Sequence, residues 1–254
     1  MRTASEGPEI EFRNVSKSFL LRDSRSLRDL AQAIVTRQPL GHQFFALQNV
    51  SFTVDHGETL GIIGRNGSGK STALKLIAGV TAPTSGEVLV VGRVSPLIEL
   101  GAGFHPDLTG RENVHLNGSI LGMTSREIEE QFDAIVEFAE LEEFIDTPVK
   151  RYSSGMYGRL GFAVAVHSKP DLLLVDEVLS VGDAFFQEKC LNRMREFKAS
   201  GMTIVLVSHS PALVSEFCDR AIWIDHGHLM REGHADDVVA EYLEKIPHGS
   251  GVGV

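Results

Sequence analysis

The chain has 254 residues, 43% of them hydrophobic, which suffices for one large α/β core but leaves no room for a second full domain once its motifs are placed. Its formal net charge of -10 leaves no basic excess to neutralise a phosphate backbone, so nucleic acid is excluded as the main ligand. The first residues lack the apolar core of a signal peptide, and no apolar run approaches the roughly 18 residues that span a bilayer, so any membrane role would pass through a partner.

In chain order, Ile10 to Phe19 and Phe44 to Val54 read as strands of an antiparallel sheet, with Val50, Phe52 and Val54 alternating against Ser51, Thr53 and Asp55. Between them Leu27, Leu30, Ala31 and Ile34 recur at helical spacing, so Ser24 to Arg37 is expected to be an amphipathic helix inserted as a docking element. Leu60 to Ile63, Gly64 to Ser71 and Ala73 to Gly79 then read as strand, glycine-rich loop and helix. A turn at Thr81 to Gly86 leads to short strands over Glu87 to Val91 and Arg93 to Ile98. From Gly110 to Val166 the pattern turns helical; Thr124-Ser125-Arg126-Glu127 has the form of a capping box, and Lys169-Pro170 ends the run. Leu172 to Val175, a helix with Phe186, Cys190, Met194 and Phe197 on one face, and Thr203 to Val207 restore the strand and helix alternation of a parallel sheet. Ala221 to Ile224, a turn at His226-Gly227 and a helix through Val238, Val239 and Tyr242 close the chain. Cys190 and Cys218 lie beside apolar residues without metal-ligand spacing, which predicts buried free thiols.

The chemistry is concentrated in three places. The loop Gly64-Arg65-Asn66-Gly67-Ser68-Gly69-Lys70-Ser71 has the form of a phosphate-binding P-loop, with backbone N–H groups through Thr72 aimed at phosphates from a helix N-terminus. Lys70 is expected to reach the β- and γ-phosphates and Ser71 to ligate Mg²⁺, so the chain is expected to bind a nucleoside triphosphate. The apolar strand ending in Asp176-Glu177 offers one carboxylate to hold Mg²⁺ and a second to accept a proton from attacking water. His209 ends the following strand, at the sheet edge where Lys70 and Asp176 also fall, an address for a γ-phosphate contact.

Tyr152-Ser153-Ser154-Gly155-Met156 resembles the signature motif of ATP-binding cassette (ABC) proteins; Ser180-Val181-Gly182-Asp183 resembles that family's D-loop and His209 its switch histidine. The resemblance covers about residues 8 to 245 and implies an α/β fold, a mixed sheet with a parallel core and an antiparallel β region, in which 8–98 and 167–245 form a RecA-like core and 99–166 an inserted helical subdomain between flexible tails at 1–7 and 247–254. It implies a homodimer in which each ATP lies between one P-loop and the partner's Ser153 and Gly155, with Asp183 among the nucleotide-binding residues. Serine and backbone N–H groups at a helix start do make an anion site, although Ser153 also suits an ordinary helix cap. Leu100 to Pro106, Thr109 to Asn113, Tyr152 to Tyr157 and Asp176 to Asp183 are similar to subunits that export O-antigen, galactan, capsule-type polysaccharide and teichoic acid. That subgroup shares the departures at Ser154 and Met156, and it implies an integral-membrane permease partner, a lipid-linked glycan cargo and a place on the cytoplasmic face of the inner membrane. Some members add a C-terminal carbohydrate-binding domain, and this chain ends soon after Tyr242. Glu99 stands where the family has its Q-loop glutamine, as a candidate metal or permease contact, and either Phe19 or Phe45 is the adenine-stacking aromatic. The rival readings are a drug or lipid exporter ATPase and a soluble ABC clamp of translation or DNA repair.

Overall fold

A computed structural model describes residues 9–21, 42–97, 101, 103–176 and 182–245. The expected helix over Ser24 to Arg37, both tails, Glu99 and Glu177 lie outside the described residues.

Strands β1 (Ile10–Leu21), β2 (His42–Val54) and β4 (Ser85–Val90) form an antiparallel sheet in the order β2-β1-β4. Strands β3 (Thr59–Ile63), β5 (Val94–Leu97), β6 (Leu172–Val175), β7 (Thr203–Val207), β8 (Arg220–Asp225) and β9 (His228–His234) form a second sheet in the order β5-β6-β7-β3-β8-β9, parallel except for the β8–β9 hairpin. Every residue of β3, β6 and β7 is buried, as expected of parallel strands covered on both faces. Alternation along each strand sorts these residues into two cores. Leu60, Ile62, Leu172, Leu174, Val205 and Val207 face the antiparallel sheet and helix α1 (Lys70–Ile77). Leu173, Val175, Ile204 and Leu206 face the opposite layer, where α5 (Ala184–Ala199), α6 (Pro211–Phe217) and α7 (Ala235–Lys245) pack.

The helical region has a third core, built from α2 (Gly110–Ile120), α3 (Ser125–Ala139) and α4 (Ser154–His167). The capping box read at Thr124 and Glu127 is formed, and a second, not anticipated, joins Thr109 and Glu112. Helix α4 is apolar around most of its circumference because it serves two cores: Leu160, Ala163 and Val164 pack into the helical one, Phe162, Ala165 and Val166 into the sheet. The two cysteines are buried free thiols, each pushed up to about 12 by burial.

His167 ends α4 with its Nδ1 2.7 Å from the Ala163 carbonyl oxygen and its ring edge-on to Phe138. Burial lowers its pKa, so below about pH 6.5 the unfolded chain takes up a proton that the folded chain resists. Stability should therefore fall between pH 7.5 and 5.5, and urea unfolding of His167→Gln should show a shallower fall. Equal slopes in the two proteins would exclude His167 as the cause.

Candidate functional site

The carboxyl ends of β3, β6 and β7 lie side by side, so the residues that follow them, Gly64, Asp176 and Ser208-His209, arrive at one edge of the sheet. The loop after β3 needs its glycines. Gly64, Gly67 and Gly69 have φ of 151°, 78° and 115°, and a Cβ on Gly69 would run into the Ala46 carbonyl and come within 2.8 Å of Leu47 Cδ2. Ser68 is buried behind the loop, and its carbonyl accepts from the Gly227 amide at 2.9 Å, so the β8–β9 turn braces the loop from below. Lys70 is 5% exposed; its Nζ donates to the Gly64 and Arg65 carbonyls at 2.8 and 3.0 Å and is thereby folded over the loop. Helix α1 begins here with no side-chain cap and no acidic residue in its first turn, which leaves its N-terminal dipole available to an anion.

Above this loop is a cleft of about 480 Å³. Asn66, Gly67, Gly69, Lys70, Ser71 and Thr72 form its floor, and Asp176 and His209 form one wall. At the mouth stand two aromatic rings. Phe19 is one of them, but its companion is Phe44 rather than Phe45. Phe19 and Phe44 are directly paired across β1 and β2, which sets them side by side on one face, whereas Phe45 pairs with Ser18 and does not line the cleft. Ser71 and Asp176 are a hydroxyl and a carboxylate facing one cleft, an oxygen donor set that suits Mg²⁺ once phosphate oxygens complete it. Among the described residues no group of three His, Cys, Asp or Glu could hold a metal by itself.

Ser153, Gly155 and Asp183 are not brought to this cleft. They line a separate one of about 690 Å³ with Glu140, Phe144 and Arg159. Ser153 is the N-cap of α4, its hydroxyl accepting from the Met156 amide at 3.2 Å. Asp183 is the N-cap of α5: its carboxylate accepts from the Phe186 amide at 3.0 Å and from Arg159 at 2.7 Å, and the helix-start amide followed by the Arg159 guanidinium holds it below the usual carboxylate range. Arg159 also donates to Glu140 at 2.9 Å and lies over the Phe186 ring, so the starts of α4 and α5 and the end of α3 are tied at one point. Sequence reasoning missed Phe44, and the signal for it, an aromatic opposite Phe19 in an antiparallel pair, depends on the register.

A family model described as ABC transporter matches residues 47–180. The chain is 46% identical over 243 residues to the O-antigen export system ATP-binding protein RfbB of Klebsiella pneumoniae, covering 94% of this chain and 99% of that protein. It is 56% identical over 201 residues to the protein of the same name from Myxococcus xanthus, covering 79% of this chain and 46% of that one, so the chain spans less than half of that relative. A teichoic acids export ATP-binding protein TagH of Listeria innocua is 46% identical over 238 residues, 94% of this chain and 70% of that protein. Among solved structures, a dimeric ATP-binding cassette in a post-hydrolysis state bound to ADP and Pi matches with a TM-score of 0.70 at 24% identity, over 89% of this chain and 98% of that one. With the loop, the carboxylate strand and the histidine assembled on the sheet edge, the family model matched over residues 47–180 and the Klebsiella relative matched over 94% of the chain, the protein belongs to the ABC transporter family.

Proposed function

We propose that this chain is the ATP-hydrolysing subunit of an exporter that moves a lipid-linked cell-surface polysaccharide, of the O-antigen or teichoic acid type, across the cytoplasmic membrane. The observation that carries the reading is the pair of clefts: one holds Lys70, Ser71, Asp176 and His209, and the other presents Ser153 and Gly155 at a helix start with no nucleotide-binding loop of its own. Two copies packed head to tail would give each ATP both halves. The names of the relatives support the cargo class, and the dimeric solved cassette supports the packing.

ATP would lie with its base against Phe19 and Phe44 and its phosphates on the α1 N-terminus. Ser71 and Asp176 would hold Mg²⁺, which when bound neutralises charge on the β- and γ-phosphate oxygens. Lys70 supplies the fixed positive charge, and Glu177 takes a proton from the water that attacks the γ-phosphorus as the bond to ADP breaks. His209, on the same wall as Asp176, would contact the γ-phosphate. The second copy's Ser153 hydroxyl and Gly155 amide close the site. As in the export systems that the relatives are named for, transport would run through a separate integral-membrane permease on whose cytoplasmic side this subunit sits. The segment 99–112 is where that permease would dock.

Phe19→Ala and Phe44→Ala should each weaken ATP binding about 5- to 150-fold, the range expected for losing one base–aromatic stack, while Phe45→Ala leaves it unchanged; titration with a fluorescent ATP analogue separates the three. For the cargo, the test is mass spectrometry of membrane lipids from native cells expressing Glu177→Gln. A polyprenyl-linked glycan should accumulate. Its absence, with the variant bound to its permease, would reject a glycan cargo.

A further inference from the structure

Phe19 is 43% exposed at the mouth of the P-loop cleft, so burial alone does not fix its ring. Lys17, two residues earlier on β1, supplies a further hold: its Nζ stands over the Phe19 ring, 5.2 Å from the centroid. Lys17 does not line the cleft whereas Phe19 does, so the face that the ammonium covers is turned away from the cleft and the other is left for the base.

The ammonium is itself anchored. It donates to the Thr81 hydroxyl at 2.7 Å and to the Ala82 carbonyl at 2.8 Å, in the turn that leaves α1. That turn is bonded at both ends. The Val80 and Thr81 amides donate to the carbonyl of Lys75, in the last turn of α1, at 3.0 and 3.4 Å. Farther on, the Thr84 amide donates to the Ser16 carbonyl at 2.8 Å, and the Thr84 hydroxyl accepts from the Ser18 amide at 3.0 Å, so Lys17 is flanked on β1 by two bonds to the same turn. A connected path of contacts therefore runs from the helix whose first turn faces the phosphates, through Thr81 and Ala82, to the ring that faces the base. An exposed ring that is free to rotate has to be ordered when the base arrives, and a ring already held loses less on binding.

We propose that Lys17 is a positioning residue for the nucleotide base: its ammonium, tied to the turn after α1, holds the Phe19 ring at a fixed offset from the phosphate site with the stacking face open. The proposal rests on the nucleotide reading above. Lys17 touches neither base nor phosphate, and it acts only through Phe19.

Lys17→Met keeps the stem and removes the charge and both hydrogen bonds. In the purified chain it should weaken ATP binding about 2- to 5-fold, the scale of one cation–π contact at an exposed site, and leave turnover at saturating ATP unchanged. Inorganic tripolyphosphate offers the phosphates without a base, so it should bind Lys17→Met as tightly as it binds the parent. Lys17→Arg returns a cation to the ring and should restore the affinity for ATP. Added to Phe19→Ala, Lys17→Met should cost nothing more, because both act through one ring. Parental ATP affinity in Lys17→Met would overturn the proposal, and so would an equal loss for ATP and tripolyphosphate, the mark of a general disturbance of the site. Parental ATP affinity in Phe19→Ala would instead overturn base stacking on Phe19, and this inference with it.

Discussion

Lys70→Met should release phosphate from ATP at least about 100-fold more slowly than the parent chain, the scale of losing one preorganised group at a site of developing charge. The substitution is chosen for volume. Lys70 is 5% exposed, with its side chain folded over the loop, so a methionine fills the same space and the fold is kept. What disappears is the ammonium, held in place by the Gly64 and Arg65 carbonyls at 2.8 and 3.0 Å. Arg65 is exposed and its carbonyl can be rehydrated, whereas Gly64 is buried and its carbonyl loses a partner, so a loss of about 1 to 3 kcal/mol in stability should accompany the substitution. Phosphate release at saturating ATP, with a thermal melt to verify the fold, makes the test. Turnover within about threefold of the parent would mean that Lys70 does not stabilise the transferring phosphoryl group.

The second large effect belongs to Glu177, which follows Asp176 directly in the chain. Glu177→Gln replaces a carboxylate by an amide of the same size, which can orient a water but cannot take its proton. Hydrolysis should fall by about 10² to 10⁴, the usual contribution of a positioned general base, while ATP affinity stays at the parental value because the phosphate contacts on α1 are untouched. The split is the diagnostic feature: lost turnover with retained binding identifies a base, whereas parallel loss of both would identify a binding residue. A variant that kept parental turnover would remove Glu177 from the mechanism.

Much of the site was legible because its chemistry is carried by short contiguous motifs attached to strand ends. An apolar run followed by Gly64 to Ser71, another followed by Asp176, and a third followed by His209 suffice to predict one sheet edge, since parallel strands end together. The capping box at Thr124 was legible for the same reason, its two partners being three residues apart. Other features were set by pairing across long separations. Phe44 and Phe45 are neighbours with opposite orientations, and which of them joins Phe19 depends on a β1–β2 register that shifts three times along its length. Asp183 has the position of a nucleotide ligand in its motif, yet its carboxylate caps α5 through the Phe186 amide three residues on and is also held by Arg159, a contact across 24 residues that no spacing reveals. Strand β9 escaped because it has no fully buried residue and so no apolar alternation. Helix α6 escaped because seven residues after Ser210 are too few to establish a period.

The central claim is that a working site takes Lys70 from one copy and Ser153 from another, and mixing two defective chains tests it most directly. Lys70→Met and Ser153→Arg should each be nearly inactive alone, because every site in either homodimer carries a lesion. In a mixed dimer packed head to tail, one site collects both lesions and the other is intact. Phosphate release should therefore reappear when the two inactive proteins are combined, and rise with the fraction of mixed dimer. A mixture that stays as inactive as its components, with mixed dimers demonstrated, would contradict the shared site.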